Sequence, residues 1–179
     1  MNASHVMVDL ETLGTSNDAL ILSIGAVRFD PHRADIPMEK FHAAIDMEDA
    51  ARCGLKIDAS TVKWWMQPDR HEARAQYLKQ KMHSLTDALD GFSQWLGNDA
   101  KVWGNGATFD NVILRSAYQK CNWNAPWQYW NDRCYRSLKS MAKDIPVERV
   151  GTHHDALHDA ISQAKHMQQI VKSLRLKVD

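Results

Sequence analysis

The chain has 179 residues, 44% hydrophobic and 25% charged, the composition of an ordinary globular domain long enough to bury a core. Lysine plus arginine and aspartate plus glutamate balance at 22 each, which excludes a broad basic surface holding long nucleic acid by charge alone but not a local site for a strand end. Three cysteines without metal or redox spacing (Cys53, Cys121, Cys134), no apolar run of membrane-spanning length and no signal peptide predict a single cytoplasmic domain over residues 1–179.

The first predicted element is a β-run through Val6-Met7-Val8-Asp9-Leu10-Glu11, closed by a turn at Gly14. Alternate residues of a strand share a face, so Asp9 and Glu11 point the same way. Neighbouring carboxylates repel each other and lose hydration unless a cation sits between them, and oxygen ligands suit magnesium or manganese. The same pair also fits a strand that merely runs into a polar loop. A second strand is expected over 19–30, ending at Asp30-Pro31, and a third over Met38–Ile45, making an antiparallel meander. Residues 46–58 read as loop.

Short helices are expected from Ser60 to Pro68 and from Arg70 to Lys79. Ser84 and Asp87 frame a capping box ahead of a helix bearing Leu85, Leu89, Phe92 and Leu96, which Gly97-Asn98 ends. Lys101–Trp103 reads as a strand parallel to an earlier one, since a helix intervenes. A Gly104–Gly106 turn leads into a helix over Phe109–Cys121, Pro126–Trp130 reads as extended, and Arg133–Lys143 reads as helix. The last helix spans Asp155–Leu174, with Ala156, Ala160, Ala164, Met167, Ile170 and Val171 on one face. The sum is an α/β fold: a mixed sheet of three antiparallel strands plus parallel ones, flanked by helices.

Asp110 lies in a helix's first turn, where the dipole favours an acid whatever its function. Asn105 is an ordinary turn former. His153-His154-Asp155-Ala156-Leu157-His158-Asp159 is the densest polar patch. Its small residues let a helix approach a sheet closely, so Asp159 has a route inward. A zinc site there lacks a further ligand at suitable spacing.

Taken in order, Asp9-x-Glu11, Asn105-x-x-x-Phe109-Asp110 and His154-x-Ala156-x-x-Asp159 resemble the three motifs of the DEDDh group of 3′–5′ exonucleases in the ribonuclease H-like superfamily. The resemblance covers roughly residues 7–164. Thr61, Trp64, Trp65 and Gln67 look like a subgroup of small bacterial and phage exonucleases that includes relatives of a mycobacterial exoribonuclease and of a phage exonuclease A. It implies that Asp9, Glu11, Asp110 and Asp159 hold two Mg2+ or Mn2+ ions, and that a histidine deprotonates water. Motif position selects His154, although His158 stands where relatives often have an acid. It further implies release of nucleoside 5′-monophosphates from a free 3′ end of DNA or RNA, with a single strand favoured because no basic track is evident. Thr12 and Leu13 are expected against the terminal nucleotide, Leu13 as a wedge. Trp64, Trp65, Trp103 and Phe109 are candidate stacking platforms. Gln67 and Asn105 complete the substrate-binding candidates. Related small exonucleases often pair, which leaves both a homodimer and a monomer open. Two alternatives stay open: a nucleic-acid binding module without chemistry, and a phosphohydrolase of small nucleotides or nucleotide-capped RNA ends.

Overall fold

The computed structural model describes residues 5–34 and 39–179. Strands β1 (His5–Thr12), β2 (Ile21–Phe29) and β3 (Lys40–Ile45) form the expected antiparallel meander. Met38, the expected start of the third strand, lies outside the described residues. Next come helices α1 (Met47–Arg52), α2 (Ala59–Trp65) and α3 (His71–Lys79), then strand β4 (Met82–His83). Helix α4 (Leu85–Leu96), strand β5 (Lys101–Gly104) and helix α5 (Asp110–Lys120) follow. Strand β6 (Asp132–Cys134) and helices α6 (Tyr135–Ser140) and α7 (Ala156–Leu174) complete the order. The sheet runs β4-β3-β2-β1-β5-β6, with β5 parallel to β1, β6 parallel to β5, and β4 parallel to β3.

The structure differs from the sequence reading in places with physical causes. Residues 46–58 contain helix α1, because the Asp46 carboxylate accepts the Asp49 amide and caps it. The strand expected at Pro126–Trp130 falls instead at Asp132–Cys134. Trp127 is drawn into the core at 1% exposure, while Asp132 accepts hydrogen bonds from Trp127 Nε1 (2.7 Å) and Asn111 Nδ2 (2.9 Å) and pairs with Arg115. A half-buried polar network thus fixes a segment whose residue types do not favour strand. Helix α6 is correspondingly shorter than Arg133–Lys143.

The sheet carries a core on each face. Val6, Val8 and Leu10 of β1 pack with Leu89, Phe92, Ile113 and Tyr118 of α4 and α5. Met7, Val27 and Trp103 pack with Tyr135, Leu138, Ala160, Ala164 and Met167 of α6 and α7. Among the described residues no helix is long and apolar enough to cross a membrane.

Candidate active site

Asp9 and Glu11 continue the face of Met7, the side covered by α7, at the carboxyl end of β1. Asp9 lies opposite Gly25 and Glu11 opposite Ser23 in the register with β2. A Cβ on Gly25 would stand 2.1 Å from the Ala156 carbonyl carbon and 2.2 Å from the Leu157 nitrogen. The first turn of α7 therefore rests directly on the strand backbone, which carries Asp159 to the two strand acids. Carboxylate oxygens of Asp9, Glu11 and Asp159 lie within 4.8 Å of one another. Asp110 arrives from β5 through the turn into α5, and its Oδ1 accepts the Leu10 amide at 3.2 Å. Its Oδ2 is buried without a hydrogen-bond partner.

Burial raises three of these carboxyls, and mutual repulsion adds to the rise in Asp9 and Glu11. Burial, then the charges of Asp110, Glu11 and Asp159, raise Asp9 well above the usual carboxylate range. Burial and the charge of Asp159 do the same to Glu11. Burial pushes Asp110 up to about 7, against the pull of its backbone hydrogen bonds. Two residues missed in the sequence reading soften the site. Gln163, one turn beyond Asp159 on α7, donates from Nε2 to Asp9 Oδ1 at 2.6 Å. Arg149 pairs with Asp159 Oδ1 at 2.8 Å. The Asp159-to-Gln163 spacing was a usable signal for the first. Arg149 sits in an irregular segment with no period to read.

The segment before α7 is fastened to that helix. Asp159 Oδ2 accepts the His154 amide (3.1 Å), Ser162 Oγ accepts the Val150 amide (2.9 Å), and His158 Nδ1 accepts the Thr152 amide (3.1 Å). The Asp155 carboxylate accepts the His158 amide and caps α7. His154 adopts φ +64°, a left-handed conformation that costs a β-carbon residue roughly 1 kcal/mol and is held here by these bonds. Its ring stacks on His153 (3.8 Å between centroids) and meets Trp64 edge-on (4.8 Å). Ring nitrogens of both His153 and His154 lie within 4.8 Å of an Asp159 oxygen. Burial and the neighbouring His153 lower His154 to about 4. His158 instead faces the loop, with its ring over Gly151.

The remaining predicted residues divide between distinct hollows. A groove of about 380 Å³ is lined by Glu11, Thr12, Thr61, Trp64, Trp65 and Phe109. Trp65 is turned inward, its Nε1 donating to the Thr12 carbonyl at 2.8 Å, while Trp64 stays 36% exposed beneath the Arg70 guanidinium. Leu13 is buried and lines a mainly apolar cavity of about 240 Å³ together with Glu11, Trp65 and His154, which adjoins the groove at Glu11 and Trp65. Gln67, just past the end of α2, folds back on that helix, Nε2 donating to the Lys63 carbonyl at 3.4 Å. Trp103 is a core residue, donating to His5 Nδ1 at 3.0 Å, and offers no stacking face. Asn105 lines a third hollow beside Arg136.

A family model described as the 3′-5′ exoribonuclease Rv2179c-like domain matches residues 4–171. The chain belongs to this family. It is a 3′–5′ exonuclease, and its mixed sheet has the ribonuclease H-like arrangement. A search of curated proteins finds no match. Among solved structures, the chain resembles the nuclease domain of 3′hExo, a DEDDh family member bound to rAMP, with a TM-score of 0.56 at 12% identity over 98% of this chain and 95% of that one. At that identity the likeness speaks for the fold. In this exonuclease the four acids of the sequence motifs surround the carboxyl end of β1, on three separate elements.

Proposed function

We propose that this exonuclease removes nucleoside 5′-monophosphates one at a time from single-stranded 3′ ends, with RNA as its preferred substrate, and that it needs divalent cations. The observation that carries this reading is the convergence of Asp9, Glu11 and Asp159, with Asp110 beside them and His154 at the rim. The donor set fits hard divalent ions: it is all oxygen, Asp9, Glu11 and Asp110 are pushed toward their neutral forms, and Asp110 Oδ2 is buried with no partner. Asp9, Glu11, Asp110 and Asp159 would hold the metals. Bound there, Mg2+ or Mn2+ would supply the positive charge that steadies an attacking hydroxide and a departing oxygen.

The residues themselves account for the rest. His154 is neutral across the physiological range because burial depresses it, so it can accept the proton of the attacking water. Water attacks the terminal phosphorus and the bond to the 3′ oxygen of the preceding nucleotide breaks, so the released nucleotide keeps its phosphate on the 5′ oxygen. Phe109, Trp64 and Thr12 border the groove for the terminal nucleoside, where aromatic faces take any base. The family description and the rAMP in the structural relative favour RNA. Free thiols at Cys53, Cys121 and Cys134 suit a reducing compartment such as the cytoplasm. The exposed Trp123, Tyr129 and Trp130 are available to a homodimer interface.

The test is a panel of matched 5′-labelled RNA and DNA oligomers, single-stranded or recessed, with Mn2+, Mg2+ or EDTA. The expected result is a ladder shortened from the 3′ end and 5′-monophosphate products, fastest on single-stranded RNA, and no reaction in EDTA. Internal cuts, 3′-monophosphates or undiminished turnover in EDTA would overturn the reading.

A further inference from the structure

The hollow beside Asn105 has a volume of about 470 Å³ and is lined by Asn105, Arg136, Lys139, Ser140 and Lys143, with Ala142 and Ile145. Arg136 and Lys139 are three apart on α6 and so share a side of the helix, and Lys143 follows just past its end. All three are exposed, and among the described residues none makes an ion pair. Several other cations of this chain are matched to acids, Arg28 with Glu39, Lys56 with Asp18, Arg115 with Asp132 and Arg149 with Asp159; among the described residues Lys79 and Lys81 make no ion pair either, so what sets Arg136, Lys139 and Lys143 apart is that they line one hollow. In a chain of zero net charge, unmatched cations gathered around one hollow are a local anion site.

Its position identifies the anion. The Arg136 guanidinium rests on Gly106, its Cζ 3.3 Å from where a Cβ would stand, and is near enough for its charge to act on Asp110. Gly106 belongs to the turn between β5 and α5. That turn presents Asn105 to the basic hollow and Phe109 to the terminal-nucleotide groove. The two hollows are therefore joined by the few residues of the turn that leads into Asp110. A chain with its last nucleoside against Phe109 and its scissile phosphate at the acids has this hollow as a continuation for its preceding phosphates.

We propose that Arg136, Lys139 and Lys143 form a track for the backbone phosphates on the 5′ side of the scissile bond, so that the enzyme grips oligonucleotides through α6 as well as through their last nucleotide. The track rests on the nuclease reading above, and its test separates the two.

Wild type and the triple variant Arg136→Gln/Lys139→Gln/Lys143→Gln are compared by anisotropy with a fluorescein-labelled oligouridylate dodecamer, in EDTA and in Ca2+, over a salt series. A charge-matched control, Lys40→Gln/Lys79→Gln/Lys81→Gln, neutralises cations at the other edge of the sheet, and circular dichroism checks that all three proteins are folded. The triple variant should bind about 10–100-fold more weakly at low salt, and its salt slope should fall by about 2, given roughly 0.7 for each single-strand phosphate that the protein no longer neutralises. The control should match wild type. With Mn2+, the triple variant should show a raised KM for the dodecamer and an unchanged KM for the p-nitrophenyl ester of uridine 5′-monophosphate, which has no preceding phosphates. Equal loss by the control, an unchanged salt slope, equal effects on both substrates, or a wild type that binds no oligomer would each overturn the track. A wild type that binds the dodecamer in the expected way but hydrolyses neither substrate supports the track and counts against the catalytic reading.

Discussion

Asp110 has one oxygen engaged by the Leu10 amide and the other buried without a partner, so its charged form is poorly served until a cation arrives. Its carboxyl sits near 7 in the fold, against about 3.9 in an unfolded chain. Below about pH 4 it is protonated in both states and costs nothing. As pH rises toward 7 the unfolded chain ionises while the fold keeps its proton, so stability falls across that window and levels off above it. His5 and His154, both lowered to about 4 by burial, tilt the curve the other way below neutrality. The informative quantity is therefore the difference between proteins. In EDTA, Asp110→Asn should melt at least about 2–4 °C above wild type at pH 7.5, the effect of roughly 1 kcal/mol in a chain this size, and the gap should close toward pH 4. A gap that does not depend on pH, read by scanning fluorimetry, would mean the Asp110 carboxyl is not strained by burial. The histidines separate by the same logic. His154→Ala should lower kcat about 10²–10⁴-fold, the usual weight of a general base, with Mn2+ affinity unchanged by calorimetry. His158→Ala should chiefly lower the melting temperature, because its ring accepts the Thr152 amide and supports the loop. If His158→Ala proved the more damaging to kcat at equal folded fraction, the base has been assigned to the wrong ring.

At the scale of elements, the site depends on α7 touching β2 where there is no side chain. Gly25→Ala puts a methyl 2.1 Å from helix backbone, which cannot move aside as a side chain tip can. The helix must lift, taking Asp159, Gln163 and the His154 loop with it. The expected cost is more than about 2 kcal/mol, with loss of both metal binding and turnover. Gly91→Ala in α4 is the control: its methyl would meet only the Phe41 ring at 3.6 Å, and removing a mid-helix glycine should stabilise by about 0.5–1 kcal/mol. Equal melting temperatures for the two variants would show that α7 does not rest on Gly25 as described. These elements also show what a sequence discloses. Asp9 and Glu11 were legible because strand alternation leaves no freedom about their shared face, and Asp159 because alanines flank it at helical spacing. The Trp64-Trp65 pair was legible only to the extent that one must face in; that it is Trp65 follows from the Thr12 carbonyl awaiting its indole. Arg149, His153 and the basic hollow were not legible. They sit in or beside the irregular stretch between α6 and α7, where no period connects position to direction. Strand β6 was misplaced because a half-buried hydrogen-bond network overrode residue preference.

For the molecule as a whole, zero net charge conceals a separation: acids are gathered at the carboxyl end of β1, and one of them leans on an internal cation. Arg149 occupies Asp159 Oδ1 while remaining half exposed. It is thus a partial stand-in for metal charge, worth about 1 kcal/mol or less because water screens it. Its removal should act with opposite signs in the two states of the enzyme. In EDTA, Arg149→Gln leaves the acids less neutralised and should melt up to about 2–4 °C lower than wild type. With Mn2+ present, the same variant no longer has an arginine competing for Asp159, so its midpoint for metal binding should shift to lower concentration. For either protein, cation at about 100 times its dissociation constant should add roughly 2.7 kcal/mol per site, or about 5–11 °C of melting temperature. The measurement is a Mn2+ titration of melting temperature for both proteins at low ionic strength. A wild type indifferent to Mn2+ would remove the reason for packing these acids together. A variant weaker for Mn2+ than wild type would make Arg149 a support for the His154 loop and not a rival of the metal, since losing that support would disorder Asp159 along with the loop.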